Sequence, residues 1–189
     1  MSTLRVMAFC LLVAASAAAS AQQDYSDPVL RDLLRAAADD ATSFADKYAA
    51  QVWLTDMSGR LEAQVSDPEE RLEILTQVHF EATRIGLPPE LVLAVIDVES
   101  NFDRFAISHA GARGLMQVMP FWLEEIGRPD ANLFFIGTNI RFGCTILKYY
   151  MDMEDGDLVR ALGRYHGSLG RAAYPNKVLD KLRNKWFRL

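Results

Sequence analysis

The feature that most constrains the fold of this chain is a short segment that is apolar on every side. Residues 91–96 (LVLAVI) contain no polar side chain, and Pro88, Pro89 and Glu90 precede them. Proline suits the first turn of a helix, and a helix without a polar face has to be buried. The sequence therefore predicts a central helix, running to about Ser100, around which other helices pack.

The chain that follows residue 21 reads as nearly all helix. Apolar positions recur at helical spacing, and no sustained alternating run with hairpin turns is found, so the fold class is predicted to be mainly α. Asp67 and Pro68 form a strong helix start, and Gly86 forms a stop. Besides the central helix, the predicted helices cover 28–38, 40–65, 68–84, 115–125, 133–153 and 157–166.

The first residues resemble an export signal rather than part of the fold. Arg5 precedes an apolar run over 6–14, and Ala19-Ser20-Ala21 fits a cleavage site, so the mature chain is predicted to begin near Gln22. The apolar run is too short to span a bilayer, although a membrane anchor is the alternative. We divide the chain into a signal peptide (1–21), an N-terminal helical extension (22–66) and a compact helical domain (67–189), with the product exported to the periplasm or cell envelope.

The net charge and the cysteine content indicate which binding partners, crosslinks and metal sites to expect. Removal of the signal peptide leaves 19 basic and 25 acidic residues, a net charge of −6, which argues against nucleic acid as a partner. Cys144 is the one cysteine left, so no internal disulfide is expected, and its apolar helical surroundings predict a buried thiol. No cluster has metal-ligand spacing, so neither a metal nor a cofactor is expected. The cations of the C-terminal tail are predicted to form a solvated helix face (Lys177, Lys181, Arg183, Lys185, Arg188).

Glu99 is the candidate catalytic residue. At helical spacing it lies next to Val95 and Ile96, at the end of the buried helix and on its apolar side. Burial disfavours the charged form and should raise its pKa, as a general acid for glycosidic cleavage requires. Asp97 faces elsewhere and is predicted to lie on a solvated face. On position alone, an ordinary partly exposed glutamate remains an alternative for Glu99.

A second block suggests a wall for this site. Gly111 and Gly114 allow tight turns and close approach of a ligand to the backbone. Gln117 is an uncharged donor and acceptor within an apolar segment, suited to sugar hydroxyls or an N-acetyl amide. Met116 and Met119 could line a groove for a sugar face, or they could pack in the core.

Together these blocks resemble the soluble lytic transglycosylase family, whose catalytic domain has a goose-type-lysozyme-like fold. The resemblance rests on Glu99-Ser100, on residues 114–117 (GLMQ), on Asn139-Ile140 with Gly143, and on Tyr165. It covers about residues 75–180 and leaves residues 28–66 outside. It implies that the substrate is the glycan strand of peptidoglycan.

The resemblance also implies roles for individual residues. Glu99 would be the single acid/base, and Ser100 would position it or the substrate. Met116 and Gln117 would line the cleft beside the scissile bond. Tyr165 would hold the Glu99 carboxyl or stabilise the transition state. His166 stands where the family usually has asparagine. We place it among the substrate-binding residues and favour a structural hydrogen-bonding role over a catalytic one.

The count of carboxylates points to the reaction type. Glycosidases normally use two carboxylates, but Asp103, the nearest rival, falls in a polar loop. If Glu99 works alone, the nucleophile comes from the substrate, and attack by the C6 hydroxyl of N-acetylmuramic acid gives a 1,6-anhydro end. A hydrolytic muramidase on the same fold and a non-catalytic wall-binding or scaffold protein remain alternatives. The N-terminal helices are a candidate contact for an envelope protein complex.

Overall fold

The structure, a computed structural model, describes residues 43–125 and 128–187. These ranges contain seven α-helices and a short π-helix, and extended structure in them is limited to two isolated bridges. The predicted mainly α fold is confirmed. The signal peptide, the predicted helix 28–38 and Arg188 lie outside the described residues. The helices are α1 (Lys47–Leu61), α2 (Pro68–Ile85), α3 (Pro89–Glu99), α4 (Phe121–Glu125), α5 (Ile136–Met153), α6 (Leu158–Tyr165), α7 (Ala173–Lys181) and the π-helix Leu182–Trp186.

Local sequence signals explain the ends of α2 and α3. The Asp67 carboxylate accepts a hydrogen bond from the backbone N–H of Glu69 at 3.0 Å, which caps the start of α2. Gly86 ends the same helix with a φ of 73°, a conformation that glycine adopts without strain. Pro89 begins α3, as predicted.

The α3 helix lies at the centre of the molecule. Every residue from 91 to 97 is buried, and those from 92 to 96 have no exposed surface. It packs against α2 on one side and against α7 and the π-helix on another, while α5 and α6 complete the bundle through contacts with α2 and α7. The buried central helix is therefore confirmed. None of the helices that the structure describes combines the length and hydropathy needed to cross a membrane.

The α1 helix shares this core. Ala50, Leu54 and Leu61 are fully buried and belong to the same hydrophobic cluster as the residues of α3. The indole N–H of Trp53 donates to the Glu90 carboxylate at 2.9 Å, which ties α1 to the start of α3. The described part of the N-terminal extension is thus packed against the unit predicted to begin near residue 67.

The helix predicted over 115–125 is wrong in its first half, because only Phe121–Glu125 is helical. Gly114 and Gln117 both have positive φ, 74° and 48°, which a right-handed helix excludes. Residues 113–118 instead form a tight loop closed by a bridge between Arg113 and Val118.

The predicted solvent exposure of Asp97 is also wrong. Its side chain has no exposed surface and forms ion pairs with Lys181 Nζ at 2.6 Å and Lys185 Nζ at 3.0 Å. The indole N–H of Trp186 donates to it at 3.1 Å. Asp97 does face away from Glu99, but α7 and the π-helix cover that side of α3. The same two lysines belong to the segment predicted to form a solvated helix face, and they remain 44% and 25% exposed while they pair with Asp97.

Candidate active site

The Glu99 carboxyl is held at the last residue of α3, half-buried at the end of an apolar helix. Burial raises its pKa to about 7, and a hydrogen bond from the Tyr174 hydroxyl opposes part of that rise. The Tyr174 hydroxyl lies 2.5 Å from Glu99 Oε1. A carboxyl with this pKa can both donate and accept a proton near neutral pH.

Tyr174 is the site residue that the sequence analysis missed. It lies in the first turn of α7, is 6% exposed, and has its pKa raised well above the usual value by burial and by the Glu99 charge. Its hydroxyl therefore keeps its proton and acts as a donor. An available signal was the apolar spacing of Tyr174, Val178 and Leu182, which places one face of this basic segment against the core.

Tyr165, which the resemblance assigns to Glu99, donates its hydroxyl hydrogen to the backbone carbonyl of Met116 at 2.6 Å. Burial raises the pKa of Tyr165, and the nearby Glu99 charge raises it further. The structure thus brings Tyr165 into the surroundings of Glu99, while its hydrogen bond holds the loop beside the site.

Ser100 links the end of α3 to that same loop. Its hydroxyl donates to the backbone carbonyl of Leu115 at 2.8 Å, with the Ile96 carbonyl farther away at 3.3 Å. It makes no hydrogen bond to Glu99 in the described structure. Its geometry therefore fixes Glu99 relative to the 113–118 loop through the backbone.

The side chains of Met116 and Gln117 point to different surroundings. Met116 is fully buried. Of the two positions predicted for its side chain, in a groove or in the core, the core position is therefore the one observed. The Gln117 amide N–H groups donate to the carbonyls of Ala106 at 3.2 Å and Gly114 at 3.0 Å, which stabilises the loop in its positive-φ conformation. The Gln117 side chain remains half-buried.

The α5 helix supplies the seat for this loop. Asn139 is 1% exposed; its side-chain oxygen accepts from the Met116 N–H at 2.7 Å, and its amide nitrogen donates to the carbonyls of Arg113 and Leu133, both at 2.8 Å. One turn later, Gly143 leaves room for Met116, because a Cβ there would lie 2.4 Å from its sulfur. These two residues explain in physical terms why the motif on α5 accompanies the GLMQ block.

His166 covers the outer face of Tyr174. The two rings stack with centroids 4.1 Å apart and planes 16° apart, and His166 Nδ1 lies 3.0 Å from the Ser168 hydroxyl. Partial burial and the nearby Lys177 charge lower its pKa, which favours a neutral ring at neutral pH. Its neighbour Arg164 pairs with Glu154.

The other two carboxylates near Glu99 in sequence are engaged elsewhere. Asp103 is exposed and accepts the backbone N–H of Phe105 at 2.8 Å, an interaction that shapes the loop. Asp97 is neutralised by lysines in the interior. Within the part of the chain that the structure describes, no group of three or more histidine, cysteine or acidic residues could hold a metal ion.

Comparison with known proteins places this geometry in context. A transglycosylase of Enterobacteria phage PRD1 is 32% identical over 108 residues, covering 53% of this chain and 40% of that protein. The membrane-bound lytic murein transglycosylase F of Desulfosudis oleivorans is 33% identical over 114 residues, covering 56% of this chain and 25% of that protein. The X-ray structure of an inactive mutant of lytic transglycosylase Slt from Pseudomonas aeruginosa aligns with a TM-score of 0.45 and 23% identity, covering 82% of this chain and 31% of that one. The chain thus spans less than half the length of each of these proteins.

The family match is broader than these individual similarities. The family described as "Transglycosylase SLT domain" matches residues 77–185, which is more than half of the chain. That range includes Glu99, the GLMQ block, Tyr165 and Tyr174. The chain therefore belongs to the SLT transglycosylase domain family.

Proposed function

We propose that this protein is a peptidoglycan lytic transglycosylase that cleaves the β-1,4 bond between N-acetylmuramic acid and N-acetylglucosamine. The observation that carries the proposal is the Glu99 carboxyl, half-buried with a pKa of about 7 and hydrogen-bonded by Tyr174. Membership of the SLT family supports the reaction class, and the relative from Desulfosudis oleivorans is named a lytic murein transglycosylase.

In the first step, protonated Glu99 acts as the general acid. Its proton moves to the glycosidic oxygen as the bond between that oxygen and C1 of N-acetylmuramic acid breaks. The N-acetyl oxygen of the same sugar can assist at C1 while positive charge develops there. The Tyr174 hydroxyl stabilises the carboxylate that Glu99 becomes, since a hydrogen bond to an ionised group is stronger than one to a neutral group.

In the second step, the Glu99 carboxylate acts as the general base. It removes the proton from the C6 hydroxyl of N-acetylmuramic acid, and the oxygen so freed forms a bond with C1. The product is a 1,6-anhydro ring, no water is consumed, and Glu99 is again protonated. A pKa near 7 suits both roles, because neither protonation state is strongly disfavoured at neutral pH.

The positions of the nearby carboxylates support a single acid/base. Asp97 is buried among lysines on the other side of α3, and Asp103 is exposed and shapes its own loop. Besides Glu99, a hydrolase would require a second carboxylate to activate water or to attack the sugar. We therefore favour anhydro formation over the hydrolytic alternative.

The remaining site residues are proposed to shape the cleft. In this proposal Gln117 and His166 contact the glycan, and the 113–118 loop, which Ser100 holds through the Leu115 carbonyl, forms one wall. Met116 contributes through its backbone, since its side chain is buried. We further propose export to the periplasm or cell envelope, where the glycan substrate is found, with the N-terminal helices as a contact for an envelope protein complex.

The test compares Glu99→Gln with Asp103→Asn on purified sacculi. We expect Glu99→Gln to fold normally and to release no soluble fragments, and Asp103→Asn to retain activity. Mass spectrometry of the released muropeptides should show ends that are lighter by one water than hydrolysis products. Full activity of folded Glu99→Gln would refute the assignment. Ordinary reducing ends, together with loss of activity in Asp103→Asn, would establish the hydrolase instead, and binding without release by the wild type would establish a wall-binding protein.

A further inference from the structure

A buried ion cluster lies on the side of α3 that faces away from the proposed chemistry. The Asp97 carboxylate has no exposed surface and meets Lys181 Nζ at 2.6 Å, Lys185 Nζ at 3.0 Å and the Trp186 indole N–H at 3.1 Å. The two lysine side chains are 44% and 25% exposed, so the cluster reaches from the interior to the surface. All three partners belong to α7 or the π-helix that follows it.

The same C-terminal unit also reaches the other side of α3. Tyr174, in the first turn of α7, donates to Glu99, whereas Lys181 at the end of α7 contacts Asp97. Two residues along a helix correspond to a rotation of about 200°, so Asp97 and Glu99 project on nearly opposite sides of α3. Tyr174 and Lys181 are separated by roughly 10 Å along α7 at 1.5 Å per residue. The unit is therefore attached to the last turn of α3 at two points, which prevents it from pivoting about either one.

Stability alone does not account for such a cluster. Removing a carboxylate and ammonium groups from water is costly, and an ion pair of this kind is often no more stabilising than apolar packing of the same volume. Asp97 is also the one charged residue in an otherwise apolar stretch of α3, 91–98. What the cluster provides is a directional contact, since Asp97 Oδ2 accepts hydrogen bonds from Lys185 and the Trp186 indole, while Oδ1 pairs with the charge of Lys181.

We propose that Asp97, through Lys181, Lys185 and Trp186, is a positioning residue that holds the Tyr174 hydroxyl against Glu99. The inference rests on the proposed function of Glu99 and identifies what sets the geometry of its tyrosine partner. Asp97 itself touches no reacting atom. Its effect passes through the orientation of α7.

The groups around Glu99 make this role measurable. Tyr174 faces it from α7 and Tyr165 from α6, and His166 lies behind Tyr174, stacked on its ring. Tyr174 is the donor that hydrogen-bonds to Glu99 and lowers its pKa. If the cluster is broken and Tyr174 moves away, the pKa of Glu99 should rise. Direct electrostatics predict the opposite sign, because removal of the Asp97 negative charge, with both lysines left in place, favours ionised Glu99. The direction of the change therefore separates positioning from a simple charge effect.

The experiment is a ¹³C NMR titration of the Glu99 side-chain carboxyl in the full chain, assigned by its disappearance in Glu99→Gln. We expect Asp97→Asn to raise the pKa of Glu99 by roughly one pH unit, the size of effect expected for loss of one hydrogen bond to a charged group. Tyr174→Phe should raise it by a similar amount. The Asp97→Asn/Tyr174→Phe double variant should show no further rise, because both changes remove the same interaction.

Two further variants complete the design. Trp186→Phe removes a donor without changing any charge and should raise the pKa in the same direction by a smaller amount, which decides the question if Asp97→Asn fails to fold. Asp180→Asn breaks an exposed ion pair with Arg183 on the same unit and should leave Glu99 unchanged. An unchanged or lowered pKa in a folded Asp97→Asn, or additive effects in the double variant, would overturn the proposal. The titration does not depend on turnover. A wild type that fails to cleave sacculi would therefore refute the proposed function, while the effect of Asp97 on the pKa of Glu99 could still be measured and interpreted.

Discussion

Substitution of Gly143 by alanine is expected to disturb the 113–118 loop from the helix on which that loop is seated. Gly143 lies on α5, and a Cβ at this position would lie 2.4 Å from Met116 Sδ and 2.6 Å from Met116 Cβ. The sulfur belongs to a flexible side chain that could rotate away. The Cβ of Met116, in contrast, moves only with its backbone.

The size of the effect follows from these distances. Comfortable contact between carbon atoms needs about 3.5–4.0 Å, so Met116 must move by about 1 Å. Its backbone is held by the N–H bond to Asn139 at 2.7 Å and by the hydrogen bond from Tyr165 at 2.6 Å, and both would be strained. Overpacking costs about 1–3 kcal/mol and a weakened hydrogen bond about 1 kcal/mol, whereas alanine gains up to about 1 kcal/mol of helix propensity. We expect a net destabilisation of about 1–3 kcal/mol.

Chemical denaturation of Gly143→Ala beside Gly137→Ala measures this effect. Gly137 lies on the same helix, and a Cβ there would lie 3.3 Å from Gln77 Oε1, the movable end of a side chain. Gly137→Ala should therefore be neutral or slightly stabilising. The Gly143→Ala/Met116→Ala double variant should be more stable than the sum of the two single effects predicts, since the smaller side chain removes the clash. Equal stability of the two glycine variants would refute the packing argument.

Two further predictions concern buried titratable groups. Burial raises the pKa of Glu99 from 4.5 to about 7, so the native state binds more protons than the unfolded state in this window and loses stability as pH rises through it. We compare the free energy of unfolding of Glu99→Gln with that of the wild type at pH 4 and at pH 8, by denaturation. The difference should favour the variant by about 1–3 kcal/mol more at pH 8 than at pH 4, and an equal difference at both pH values would contradict this. Cys144 has no exposed surface and burial raises the pKa of its thiol, so Ellman's reagent should label it at the rate of unfolding, and rapid labelling of the native protein would show that the thiol is accessible.

The parts of the fold that depend on neighbouring residues could be predicted from the sequence. Asp67 caps α2 and Gly86 ends it, because both act on backbone groups within a turn of themselves. The burial of α3 follows from its composition, and the raised pKa of Glu99 follows from that burial. The buried thiol of Cys144 is confirmed on the same grounds.

The features that depend on distant residues could not be predicted from the sequence. The Gln117 backbone adopts positive φ where a helix was predicted, and the loop it belongs to is seated on Asn139 of α5. Tyr174 is 75 residues from Glu99, and Lys185 is 88 residues from Asp97. A helical pattern shows that Asp97 faces away from Glu99, but it does not show which element covers that side. Partners so far apart along the chain become visible only in three dimensions.

The separation between Glu99 and Tyr174 also determines when, during folding, the candidate site can be completed. Synthesis produces Glu99 long before Tyr174, and the lysines that anchor α7 come later still. An incomplete chain therefore carries the acid without the donor that holds it, and the contact forms only after the bundle closes over long range. The proposed pairing of Glu99 with Tyr174 is thus complete only when the C-terminal helices have docked on α3.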